Sequence, residues 1–243
     1  MAEHNQPHHQ SDQLRPPASP LRDGAVVAWP ICLGFFPIGL ALGVLGQQAG
    51  LPFWAMMMMS ILVFAGSSQF ICVSMLVAGA SLPAIVLTTF MVNLRHALMS
   101  SALAVHLPGV NRWFLAFFAY GVTDESFAVN ITRFRRGPWS RWAALVVNQL
   151  TNLTWIVATT AGTLIGSFIP KGAFGIDYAL TAMFLCLLVF QLQNRLMAFT
   201  GAIAAVVATI WYLLIPGSSY IVGAAITAAT AGYWLKRRQE RDR

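Results

Sequence analysis

The chain has 243 residues, of which 57% are hydrophobic and only 9% charged, with a formal net charge of +7. Soluble domains carry about 25% charged residues. There is therefore too little charge here to cover a water-facing surface, which excludes a soluble enzyme or a nucleic-acid-binding domain. The basic residues sit in short clusters between long apolar runs. The chain reads as an all-α, polytopic membrane protein with the lipid bilayer, and no nucleic acid, as its surroundings.

Residues 1–24 are rich in Pro, Gln, His and Asp and lack apolar periodicity, so they read as a disordered cytoplasmic arm. His4, His8 and His9 in it are expected to be solvated rather than metal-bound. A spanning helix needs about 20 apolar residues. That rule gives about eight spans in a transmembrane domain over 25–235, at 25–46, 53–76, 83–107, 113–131, 142–168, 178–191, 196–215 and 218–235, followed by a basic cytoplasmic tail at 236–243. The sixth is short enough to be re-entrant. With the N-terminus inside, the cytoplasmic segments carry 12 Lys and Arg, whereas the outer connections carry only Arg112 and Lys171. The positive-inside rule thus predicts both termini in the cytoplasm.

Seven of the eight tryptophans lie near span ends, as an interfacial belt requires, and only Trp155 falls well inside a span. Cys32, Cys72 and Cys186 occupy three separate spans without metal-ligand or redox spacing, so no disulfide and no metal site is expected. A phosphate-binding glycine loop is absent, and no cofactor is expected.

In the first span, Pro30 and Pro37 stand among Gly34, Gly39 and Gly43. Prolines interrupt the hydrogen-bond ladder, and backbone freed in lipid must be met by protein or a wet cavity. The expectation is a broken first helix lining a site. The second span holds Ala65-Gly66-Ser67-Ser68-Gln69-Phe70 near its middle, a set that serves either close helix packing or uncharged polar contact with a zwitterion. In the third, Thr89, Asn93, His96 and Ser100 are spaced to share one face, and Arg95 points about 100° away from His96.

The fourth span carries Thr123-Asp124-Glu125-Ser126 close to its centre, at about the depth of Arg95. A lone charge at a helix centre is unfavourable by about 2.5–3.5 kcal/mol, so Arg95 is expected to pair with Asp124 or Glu125. One carboxylate is then left over beside His96. In the fifth span, Asn148 and Asn152 extend a polar cavity or bond between helices, and Gln191, Gln193, Asn194 and Arg195 follow the sixth.

Four of these stretches occur together in a known family. Gly34-Phe35-Phe36-Pro37-Ile38-Gly39, Phe64-Ala65-Gly66-Ser67-Ser68-Gln69-Phe70, Asn93-Leu94-Arg95-His96 and Thr123-Asp124-Glu125-Ser126-Phe127 resemble, in the same order, the AzlC family of branched-chain amino acid permeases. The likeness covers about 25–235. It implies a bacterial inner-membrane exporter of leucine, isoleucine and valine, in some members also methionine, acting with a small AzlD-type membrane subunit. On that reading the protein is a secondary transporter rather than an enzyme, with proton entry as the expected driving reaction. Asp124, Glu125, Arg95 and His96 would couple protons, and Ser67, Ser68, Gln69, Asn93, Gly66 and Pro37 would contact the amino acid substrate. The rival readings are a passive channel, a transporter for a different small solute, and an intramembrane hydrolase built on Ser67 or Ser68 with His96.

Overall fold

The computed structural model describes residues 19–170 and 195–214 without interruption, with 227–234 and scattered positions besides. The first 18 residues lie outside the described residues. So, for the most part, do the predicted sixth span with Cys186, the following Gln191, Gln193 and Asn194, and the basic tail. Among the described residues all regular structure is helical. The helices are α1 (Pro20–Gln48), α2 (Phe53–Leu62), α3 (Gly66–Val77), α4 (Leu82–Ala104), α5 (Arg112–Tyr120), α6 (Asp124–Arg136), α7 (Arg141–Gly166) and α8 (Arg195–Leu214). By length and apolarity alone, α1, α4 and Met197–Leu214 can each cross a membrane.

The first helix is continuous, which corrects the expectation of a break at its prolines. α1 runs 29 residues through Pro30 and Pro37. It also starts earlier than composition suggests, because Ser19 caps it and Pro20 opens its first turn, so 20–24 are helical. Each proline removes one amide donor, yet the helix holds because α7 packs along its length. The two run parallel: Gly24 meets Ala143 and Val146, Gly39 meets Ala158, and Gly166 meets Val44 and Gln47. A methyl built at Gly43 would strike the α7 backbone at Thr159 and Thr163, and one at Gly162 would strike the backbone of Leu40. Gly39 and Gly43 on α1, facing Ala158, Gly162 and Gly166 on α7, form a small-residue seam that lets two backbones touch.

The breaks fall instead in the second and fourth spans, neither of which contains a proline at the interruption. α2 and α3 have 10 and 12 residues and are separated at Val63–Ala65. α5 and α6 have 9 and 13 and are separated at Gly121–Thr123. At about 1.5 Å per residue each half-helix covers about half of a 30 Å hydrocarbon core, so both interruptions lie near its middle.

Both breaks persist because other side chains take up the freed backbone groups. The Tyr120 hydroxyl donates to the Ile61 carbonyl at the end of α2. From α7, Asn148 Nδ2 donates to the Phe118 carbonyl at 3.0 Å and Gln149 Nε2 to that of Phe117 at 3.0 Å, closing the end of α5. Asn148 also accepts from Asn130 Nδ2 at 2.9 Å, and Asn130 accepts from Trp139 Nε1 at 3.0 Å. Asn148 thus bonds between helices, the packing alternative of the two its sequence position allows. Asn148→Ala would remove the side-chain donor to the Phe118 carbonyl, which keeps only the Gly121 amide, and would leave Asn130 Nδ2 only its long bond to the Ala144 carbonyl at 3.4 Å. It should lower stability by about 1–3 kcal/mol, read as a fall in melting temperature of the purified protein in detergent.

The tryptophans separate as expected. Trp113, 77% exposed, and Trp54 are exposed at helix starts, and Trp29 is exposed more than two turns inside α1, whereas Trp155 is 3% exposed. The ring that stands alone in mid-span is the one folded into the interior.

Candidate functional site

Two half-helix N-termini, those of α3 and α6, open onto one cavity of about 70 Å³. Its polar wall is Ser67 on α3, Arg95 and His96 on α4, and Thr123, Asp124 and Glu125 at the head of α6. Its apolar wall is Phe35 and Ile38 of α1, Phe64 in the first break and Trp155 of α7. Phe35 meets the Phe64 and Trp155 rings edge-on, at centroid distances of 6.4 and 5.4 Å. The space suffices for a few waters, and its division into a charged side and an aromatic side is amphipathic.

Arg95 joins the two broken helices. Its Nη1 lies 3.0 Å from Asp124 Oδ2 and its Nη2 donates to Ser67 Oγ at 2.6 Å. One guanidinium on α4 therefore holds the first turn of α3 and the first turn of α6. The partner of Arg95 is Asp124, and Glu125 is the carboxylate left over on the same cavity wall. His96 Nδ1 lies 2.9 Å from the Val122 carbonyl. A carbonyl only accepts, so Nδ1 carries the proton, and His96 satisfies backbone freed by the second break. Its Nε2 is buried and has no partner among the described residues.

The two helix heads differ. α6 is closed by a capping box: Thr123 Oγ1 accepts from Ser126 N and Ser126 Oγ accepts from Thr123 N. Two carboxylates follow in its first turn, where the helix dipole favours negative charge. α3 has Ala65 before it and no side-chain cap. Its first-turn amides have no intrahelical acceptor, so they remain available to an anion at the cavity. Gly66 begins this helix, and a methyl there would press on the Trp155 indole.

Behind the cavity a second layer holds the first break in shape. Gln69 accepts from Trp155 Nε1 at 2.7 Å and donates to Ser60 Oγ at 3.0 Å. Ser60 in turn pairs with Thr159 at 2.8 Å, and Ser68 donates to Asn93 Oδ1.

Of the residues expected to contact substrate, Gly66 and Ser67 line the cavity. Ser68 and Gln69 are buried and, with Asn93, belong to the supporting layer. Pro37 is exposed on α1 and takes no part, because one helical step turns it away from Ile38. The expected proton-coupling set, Asp124, Glu125, Arg95 and His96, is brought together in full. Thr89 is not drawn in, since its hydroxyl bonds back to the Ile85 carbonyl. Neither Ser67 nor Ser68 hydrogen-bonds His96, each having another partner. Sequence reasoning missed Ser60, Thr159, Trp155 and Tyr120. For Trp155 a signal existed, its isolation in mid-span; the other three are ordinary span residues.

The fold is that of a polytopic helical membrane protein, and a charged cavity between two interrupted helices is an arrangement common among secondary transporters. The family model described as AzlC protein matches residues 30–169, and the chain belongs to that family. Relatives include the branched-chain amino acid transport protein AzlC of Bacillus subtilis, 25% identical over 81% of this chain and 78% of that protein. The inner membrane protein YgaZ of Escherichia coli is 26% identical over 91% of this chain and 95% of its own. An uncharacterized membrane protein of Helicobacter pylori is 28% identical over 86% and 91%. No solved structure matches the chain.

Proposed function

We propose that this protein exports branched-chain amino acids across the bacterial inner membrane in exchange for protons, acting with a small AzlD-type membrane subunit. The observation that carries this reading is the meeting of two half-helix N-termini of unlike character at one amphipathic cavity. The uncapped head of α3 offers amide donors to the substrate carboxylate. The Asp124–Glu125 head of α6 offers negative charge to the ammonium group. Phe35, Ile38, Phe64 and Trp155 enclose the aliphatic side chain. Such a wall separates aliphatic substrates by only about 1–3 kcal/mol per methylene, so leucine, isoleucine, valine and methionine would all be accepted. The name of the Bacillus relative agrees with this substrate class.

Asp124 is engaged by Arg95, which leaves Glu125 as the proton carrier. The test uses the reconstituted full chain with its partner subunit in leucine-loaded vesicles, with and without an imposed pH gradient. Wild type should show gradient-driven efflux. Glu125→Gln should lose the acceleration by the gradient and retain leucine–leucine counterflow. Gradient-driven efflux unchanged in Glu125→Gln would overturn the carrier assignment, and no movement of any amino acid in wild type would overturn transport itself.

A further inference from the structure

A second and larger cavity, about 650 Å³, lies on the same α1–α6 seam as the central one. α1 contributes Val26, Val27 and Pro30, and α6 contributes Val129, Thr132 and Arg136, with Arg133 beside them. On α1 the central cavity takes up Phe35 and Ile38, and on α6 it takes up Asp124 and Glu125. The two cavities therefore follow one another along both helices, with the arginines at the far end.

Helical geometry puts them on one line. At about 100° per residue, Val27, Pro30 and Ile38 point within about 40° of the direction of Gly34. On α6, Glu125, Val129, Thr132 and Arg136 form a stripe about 60° wide. Gly34 lies between Pro30 of the larger cavity and Ile38 of the central one, is exposed, and lines neither cavity itself. A methyl built on it meets no atom within 4 Å, whereas methyls at Gly24, Gly39 and Gly43 run into α7. Close helix packing explains those three glycines. It does not explain Gly34, which has open space beside it.

We propose that the α1–α6 seam is the route between the cytoplasm and the central site. In this proposal Gly34 keeps the neck between the two cavities open, and Arg133 and Arg136 draw the substrate carboxylate into the mouth. The proposal rests on the transport reading and adds a path, a neck and an entrance to it. The neck is short: from Glu125 to Ala128, the nearest α6 residues of the two cavities, is three residues, or about 4.5 Å along the axis. Positive charge at a mouth with low-dielectric walls raises the local concentration of an anionic group. Apolar lining between the charged ends suits a substrate whose side chain is aliphatic.

The experiment places single cysteines at Gly34 and Thr132 in the full chain after Cys32, Cys72 and Cys186 are replaced by alanine. Inside-out vesicles are treated with a charged, membrane-impermeant thiosulfonate or with a lipid-soluble maleimide. Both G34C and T132C should react with the charged reagent from the arginine-bearing face, and saturating leucine should slow the reaction of G34C several-fold. Reaction of G34C with the lipid-soluble reagent alone would overturn the route, because Gly34 would then face acyl chains. Separately, Gly34→Leu should reach the membrane at wild-type level and cut efflux at least tenfold, with Gly34→Ala keeping most of it. Wild-type efflux from Gly34→Leu would also overturn the proposal. A failure of the transport reading appears differently, as wild-type vesicles that move no amino acid and a G34C labelling rate that leucine leaves unchanged.

Discussion

Asp124→Asn alone should abolish amino acid efflux and sharply lower the amount of protein in the membrane, while Arg95→Gln/Asp124→Asn together should restore the amount without restoring efflux. The single change takes the paired carboxylate from the Arg95 guanidinium at mid-membrane and leaves only the unpaired Glu125 on the same cavity wall. A lone arginine there is unfavourable by about 2.5–3.5 kcal/mol, and removing one member of such a pair costs more than removing both. The Arg95 and Asp124 side chains are 30% and 33% exposed. Partial exposure relieves part of the penalty, which puts the expected loss near the lower end of that range. Transport stays lost in the double variant because Arg95 also holds Ser67. Without it, the heads of α3 and α6 have no common anchor. Immunoblotting of membranes and melting in detergent give the amount and the stability, and efflux from loaded vesicles gives the activity. Normal levels and efflux in Asp124→Asn would mean that the pair neither supports the fold nor takes part in the site.

The same bond explains why much of the site was visible in the sequence. Charges are so costly in a bilayer that Arg95, Asp124 and Glu125 stand out against 57% hydrophobic residues, and their equal depth foretells their meeting. The identity of the partner acid was not visible, because Asp124 and Glu125 are adjacent and only the turn of α6 selects between them.

The breaks were placed in the wrong helix for a physical reason. Pro30 and Pro37 are strong local signals, but α7 packs along α1 and holds it straight enough to continue. The actual interruptions depend on distant partners, Tyr120 for α2 and Asn148 with Gln149 for α5, and no local rule reads a partner 30 or 59 residues away. One of them did carry a local mark. Thr123, two acids and Ser126 make a helix N-terminus with a capping box, a start signal set inside an apolar run that span counting treats as one helix. The first break has no such mark, because Ala65 caps nothing. For the proposed function that missing cap matters more than the one present, since it leaves the α3 amides unengaged.

Glycine-to-alanine changes in α1 and α7 should split in sign according to which side of α1 they touch. Within an exposed helix, replacing Gly by Ala stabilises by about 0.5–1 kcal/mol through backbone entropy. Gly34→Ala should show that small gain, because its added methyl enters open space. Gly43→Ala and Gly162→Ala should do the opposite. Their methyls fall on the Thr159 carbonyl and on the backbone of Leu40, and neither backbone can move aside without parting the helices. Overpacking of a tight contact costs about 1–3 kcal/mol. This contact is backbone on backbone and positions Phe35 and Ile38 opposite Trp155, so the upper part of that range is expected, together with loss of efflux. Gly43→Leu and Gly162→Leu should leave no folded protein by size-exclusion chromatography in detergent, where Gly34→Leu elutes as wild type. Melting curves of the three alanine variants decide the matter. If Gly43→Ala and Gly162→Ala melt at or above the wild-type temperature, the α1–α7 seam is looser than described. The continuity of α1 through its two prolines would then need another cause.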